Sequence, residues 1–197
     1  MWSETSIARA LARQTFNRQH LVVVPNCTWP GSECDLLVVT ANLRIIDVEI
    51  KISRSDLKAD AGKEKWWRRG FAEWDGVARR WGPRPGDARR VWPRNVWKHY
   101  VVCPREIWKP ELADSLASPA SGVILITERS HDRANRMPTL DLSVARRAKP
   151  CREAEAITPA QAVDIARLAS LRMWDTYEAM DRMRFEAKRG KDMAVTI

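Results

Sequence analysis

The chain has 197 residues, 45% of them hydrophobic, with a formal net charge of +9 and a pI near 9.8. That length suits one α/β domain with insertions or tails, and no stretch approaches the roughly 18 consecutive apolar residues a membrane span needs. The N-terminal MWSETSIARALARQ lacks a continuous apolar run before a cleavage site, so no secretory signal is read there and a cytoplasmic protein is expected. None of the four cysteines (Cys27, Cys34, Cys103 and Cys151) forms a CxxC pair, which argues for unpaired, mostly buried thiols over a zinc ribbon.

Residues 3–16 predict a helix with Ser3 as N-cap and Ile7, Ala8, Leu11 and Ala12 on its core face; Glu4 lies one turn earlier on that stripe. Three strands follow: Leu21 to Val24, closed by Pro25; DLLVVT from Asp35 to Thr40; and LRIIDVEIKI from Leu43 to Ile52, joined to the second by a short hairpin at Ala41-Asn42. SDLKADAGKEKWW predicts a helix capped by Ser53 or Ser55 and weakened by Gly62. Val96 to Val102 and Val123 to Thr127 read as strands, with a short helix between them within Pro104 to Leu116. Residues 128–157 are polar and carry no clear pattern. A long C-terminal helix starts at Thr158, with Pro159 in its first position and Gln161 completing a capping box. Val163, Ala166, Leu168 or Ala169, Met173, Tyr177 and Met180 predict its apolar face. The order gives one mixed α/β sheet flanked by helices, a single domain over 1–190 with a basic insertion at about 66–96 and a flexible tail at 191–197.

The third strand carries the candidate chemistry. Alternation places Ile46, Val48, Ile50 and Ile52 on one face and Asp47, Glu49 and Lys51 on the other. Asp35 opens the neighbouring strand, so Asp35 and Glu49 can converge near one end of the sheet. Two carboxylates and a backbone carbonyl form a hard oxygen site suited to magnesium, which can polarise a phosphate and activate water. Lys51 would act there as a base or as a cationic stabiliser.

GSECDLLVV, then fourteen residues from Asp35 to Glu49, then EIK, resembles the PD-(D/E)XK nuclease superfamily. EIKISRSDLKAD, leading into a segment rich in lysine and tryptophan, is similar more narrowly to MmcB-type DNA-repair proteins and related phage proteins. The resemblance covers residues 1–67 well and 97–127 loosely. It implies a restriction-endonuclease-like fold, Mg2+ (or Mn2+) held by Asp35, Glu49 and the Ile50 carbonyl, Lys51 as the catalytic lysine, and Glu4 as the helix-borne acid of some branches. Cys34 stands where the motif's proline would be. Glu33 is either a second acid or a solvated loop carboxylate. Many nucleases of this superfamily pair to cut both strands, so a homodimer is open.

Beyond Lys51, the side chains of Ser53, Arg54, Lys63 and Lys65 are candidates to hold a phosphate backbone, as hydroxyls and amines do. Residues 66–98 hold nine basic and three acidic residues, so +6 of the total +9, together with six of the ten tryptophans. Arg68, Arg69, Arg79 and Arg80 are the leading DNA contacts in it, with indoles available to stack on unpaired bases. At least half of the six indoles are expected to be core anchors. The leading functional reading is a metal-dependent DNA nuclease. Its alternatives are a non-cleaving DNA-binding protein on the same fold and a protein–protein adaptor using exposed tryptophans.

Overall fold

The computed structural model describes residues 3–16, 20–68, 70, 74–77, 79–81, 86–128 and 140–195. It begins with α1 (Glu4–Ala10), whose cap is reciprocal: Ser6 N donates to Ser3 Oγ, and Ser3 N donates to Ser6 Oγ. The helix continues as a wider π-type segment, Leu11–Phe16. Strand β1 (His20–Cys27) runs straight through Pro25, where the sequence predicts a stop. It is the outermost strand of its sheet, and an edge strand pairs on one side only, so a residue without an N–H is tolerated there.

β2 (Cys34–Thr40) and β3 (Ile45–Ile50) form the expected hairpin. Their link is four residues, Ala41 to Arg44, closed by Leu43 N donating to Thr40 O and by Thr40 N donating to Arg44 O, both at 2.9 Å. Next comes α2 (Arg54–Ala59), with Ser53 Oγ accepting from Asp56 N at its start. It gives way to two 3-10 turns, Asp60–Gly62 and Glu64–Trp66, in place of one long helix. The basic segment folds as two short ribbons: β4 (Trp67–Arg68) pairs with the later β7 (Ala88–Arg89), and β5 (Trp74–Asp75) with β6 (Arg80–Trp81). β8 (Lys98–Pro104), a 3-10 turn at Pro110–Ser115, β9 (Gly122–Glu128), β10 (Leu140–Arg146) and α3 (Pro159–Val195) complete the chain.

The main sheet has six strands in the order β1-β2-β3-β8-β9-β10. β3, β8 and β9 run parallel, and the outer pairings are antiparallel. This is the mixed α/β sheet flanked by helices, with a long C-terminal helix, that the pattern predicts. One face packs Leu36, Val38, Ile46, Val48 and Ile50 against Ile7, Leu11 and Phe16. The other packs Leu37, Val39 and Ile45 against Ile157, Ala162 and Ile165 of the α3 region, and Val101, Val123 and Leu125 against Leu57 of α2. At Gly122 a Cβ would sit 2.4 Å from Tyr100 and 2.6 Å from the Ala148 backbone nitrogen, so this crossing of β8, β9 and the chain after β10 admits only glycine.

Two expectations about faces are corrected. Ile52 does not join the buried side of β3; it lies past the strand end and is exposed. The core face of α3 is Ala162 and Ile165 with half-buried Leu168 and Ala169, whereas Val163, Met173, Tyr177 and Met180 are exposed. Among the described side chains of α3 none beyond Ala169 is buried or half-buried, so the apolar residues further along report no core, although Arg172 still donates to Asn26 O of β1. Of the predicted indoles in 66–98, Trp66 is fully buried, Trp92 and Trp97 are half-buried, and Trp67 and Trp74 are exposed. Cys27, Cys34 and Cys103 are buried free thiols and Cys151 is a half-buried one.

Candidate active site

The antiparallel register pairs Leu36 with Val48, which sets Asp35 at the level of Glu49 just where the ladder ends. Asp35 uses its side chain to finish the pairing: Oδ2 accepts from Ile50 N at 2.6 Å. Burial raises the Asp35 carboxyl above its ordinary range and the charge of Glu49 adds to that, against the pull of the Ile50 amide. Asp35 and Ile50 line a cleft of about 510 Å³ with Glu4 of α1 and with Arg172, Asp175 and Thr176 of α3. The helix-borne acid, the first strand acid and the residue of the candidate carbonyl ligand therefore share one opening.

Glu49 and Lys51 do not line that cleft; they point to the opposite, covered face. Both are buried, as is Asp47 beside them. Glu49 is held by three ammonium groups: Lys51 Nζ at 2.7 Å and Lys63 Nζ at 2.6 Å on Oε2, and Lys65 Nζ at 2.5 Å on Oε1. Lys65 also reaches Asp47 Oδ2 at 3.0 Å. Asp60 Oδ1 lies 3.1 Å from Lys51 and 3.2 Å from Lys63, and Trp66 Nε1 donates to Asp60 Oδ2 at 3.3 Å. The two 3-10 turns after α2 thus fold back over β3 and bring Asp60, Lys63, Lys65 and Trp66 onto it. Three acids and three lysines cancel formally, which is how a chain keeps buried charges tolerable.

The protonation preferences follow from this packing. Burial pushes Glu49 up, but the charges of Lys65 and Lys51 and the bonds from Lys51 and Lys63 outweigh it and hold the carboxyl well below its usual range. Asp47 goes the other way: burial outweighs its partner Lys65 and leaves it at about 6. His99, paired in register with Asp47, is driven well below the ordinary imidazole range by burial and then by the charge of Lys65. Its ring meets Trp66 edge-on at 4.8 Å, and its Nδ1 lies 2.8 Å from Ser121 Oγ. Asp47 Oδ1 and His99 Nε2 are buried without a hydrogen-bond partner among the described residues.

The remaining predicted residues separate by what they touch. Glu33 is exposed and lies outside the cleft. Ser53 caps α2, and Arg54 donates to the Ile107 and Glu106 carbonyls, so both serve local structure. Lys65 is buried in the ion cluster, whereas the Lys63 side chain is 43% exposed. Arg68, Arg79 and Arg80 are exposed on the short ribbons, and Arg69 lies outside the described residues. The sequence pattern places neither Asp60 nor His99 beside Glu49. A lone Asp in a predicted helix and a lone His in a strand give no signal until the return of residues 60–66 is known.

Two carboxylates and a carbonyl are the oxygen donors magnesium prefers. Among the described residues, however, no three His, Cys, Asp or Glu side chains gather as a metal cage. Both Glu49 oxygens already carry ammonium partners, and Lys63 is the one of the three with solvent access. The donors suit the ion by chemistry, and Lys63 is the group with which an incoming cation would have to compete.

No family model matches this chain, and no curated protein matches it either. Among solved structures it is similar to a protein of unknown function from Silicibacter pomeroyi, with a TM-score of 0.51, 17% identity, and coverage of 91% of this chain and 92% of that one. That likeness extends the fold over nearly the whole of both chains. Among the described residues no helix is long and apolar enough to cross a membrane.

Proposed function

We propose that the chain is a metal-dependent DNA nuclease of the PD-(D/E)XK kind, with a restriction-endonuclease-like core. The observation that supports this reading is the register that sets Asp35 level with Glu49 at the end of the β2–β3 ladder, with Asp35 reaching Ile50 N in the cleft that Glu4 also lines and Glu49 turned to the covered side beneath its lysines. Asp35, Glu49 and the Ile50 carbonyl would hold the cation. When bound, such an ion supplies a Lewis acid for a phosphoryl oxygen and a water of lowered pKa. Asp35 fixes the end of β3 through Ile50 N. Lys51 directs its ammonium at Glu49 and Asp60, an arrangement that favours a charge-stabilising role over a base. The basic segment favours a polyanionic substrate.

The test incubates the full chain with linear, circular, flapped and single-stranded DNA in magnesium, manganese or EDTA. Asp35→Asn keeps an acceptor for Ile50 N and removes the charge. We expect cleavage with either metal, none in EDTA, and none by Asp35→Asn or Lys51→Ala preparations that retain the native circular dichroism spectrum. DNA binding without cleavage under every condition would replace this reading with the non-cleaving one.

A further inference from the structure

A second cleft, of about 660 Å³, opens between the β4–β7 ribbon and the chain that leads into α3. Arg68, Arg89, Arg90 and Arg94 line it, with Trp29 and Trp92. Its walls are anchored to the rest of the fold: Arg90 N donates to Trp66 O, and Cys151 N to Trp97 O, both at 2.7 Å. Trp92 Nε1 bridges to Lys149 O at 3.0 Å, so the indole braces the opening. Two guanidiniums are oriented by backbone carbonyls, Arg89 by Ala117 O at 2.9 Å and Arg90 by Trp67 O at 3.2 Å. Arg89 also lies over the Trp67 ring, 5.8 Å from its centroid.

Among the described residues none of the four arginines is ion-paired. Glu153 and Glu155 border the same cleft without closing to ion-pair distance. Arg89 and Arg90 are tied to carbonyls while Arg68 and Arg94 make no hydrogen bond or ion pair among the described residues, so the cleft gathers positive charge that an anion would offset. Carbonyl anchoring spends one or two donors and leaves the rest of each planar fork free for a bidentate oxyanion.

We infer that this cleft binds the phosphodiester backbone of a nucleic-acid strand. Four arginine side chains spread along an open trough suit a run of phosphates better than one compact anion, and the indoles offer apolar surface beside them. The inference rests on the nuclease reading only for its biological sense. It moves the grip from Arg79 and Arg80, on the outlying β5–β6 ribbon, to the residues next to β4, β7 and the start of α3.

The test measures fluorescence anisotropy of labelled single-stranded and duplex DNA with the full chain in EDTA, so that cleavage plays no part. Variants are Arg68→Ala with Arg94→Ala, and Arg79→Ala with Arg80→Ala. Among the described residues neither Arg68 nor Arg94 makes a side-chain hydrogen bond or ion pair. We expect the first pair to lose affinity on the order of 10- to 100-fold and the salt slope to fall by about 1.4 to 1.8, two phosphate contacts' worth; the second pair should change little. Equal losses in both pairs, an unchanged first pair, or competition by inorganic phosphate as effective as by an oligonucleotide overturns the inference. Cleavage by a wild-type chain whose Arg68/Arg94 variant binds normally would leave the nuclease reading intact and sink this one; binding through the cleft without cleavage does the reverse.

Discussion

The protein handles its cations in two opposite ways. Around Glu49, three lysines meet three acids in a covered pocket and leave no net formal charge. Around the second cleft lie four arginines with no ion pair among the described residues, two of them bonded to carbonyls. The first arrangement is an internal settlement, since a charge removed from water must find its partner within the chain. The second faces solvent, where repulsion is screened and a partner from outside can supply the missing sign. Lysine density alone does not separate the two kinds of basic residue; what covers them does.

The comparison breaks most visibly at Glu49. Glu49→Ala leaves three ammonium groups around a hole, and we expect a loss of about 3–5 kcal/mol in unfolding free energy by urea titration at pH 7. A near-neutral result would mean that water reaches the lysines and the pocket is not closed.

The pH dependence of stability is the next test. His99 has a folded pKa well below the ordinary imidazole value. Below about pH 6.5 the unfolded chain takes up a proton that the folded one refuses. Its contribution is therefore full above that pH and is lost progressively as pH falls towards the folded value. The urea midpoint of the native chain should drop from pH 7 to pH 5 more steeply than that of His99→Gln, which can still pair with Ser121.

Lys63→Met should cost less, about 1 kcal/mol, because the side chain is 43% exposed and its field is partly screened. The same variant removes the competitor for Glu49, so calorimetric titration should show tighter magnesium binding; unchanged or weaker binding would count against Glu49 as a ligand. Smallest of all is the effect of Arg68→Ala with Arg94→Ala on stability. Removing unpaired like charges should leave the urea midpoint unchanged or move it slightly upward, while a clear decrease would reveal a structural role.

Much of this arrangement is legible in the amino-acid order because it is local. The Ser3 cap and the Thr158–Gln161 box depend on residues three positions apart, and Thr158 N does donate to Gln161 Oε1 at 2.9 Å, while the β2–β3 hairpin sets Asp35 level with Glu49 through one short link between two strands of clear alternation. The covering of Glu49 is not local. Lys63 and Lys65 reach back 14 and 16 positions, and a helical pattern through SDLKADAGKEKWW hides the two tight turns that make the return. β10 escaped because an edge strand with one wet face looks like polar loop. The α3 stripe misled because Met173, Tyr177 and Met180 repeat at helical spacing beyond the turns that meet the sheet.

That geometry of α3 has a consequence for its own persistence. At about 1.5 Å per residue its 37 residues extend about 55 Å, yet among its described side chains the buried ones, Ala162 and Ile165, both fall in the first two turns. Backbone amides near those two should exchange with deuterium only when the sheet itself opens. Further along, protection should decline steadily towards the C-terminal end, each amide guarded by the helix and by little else.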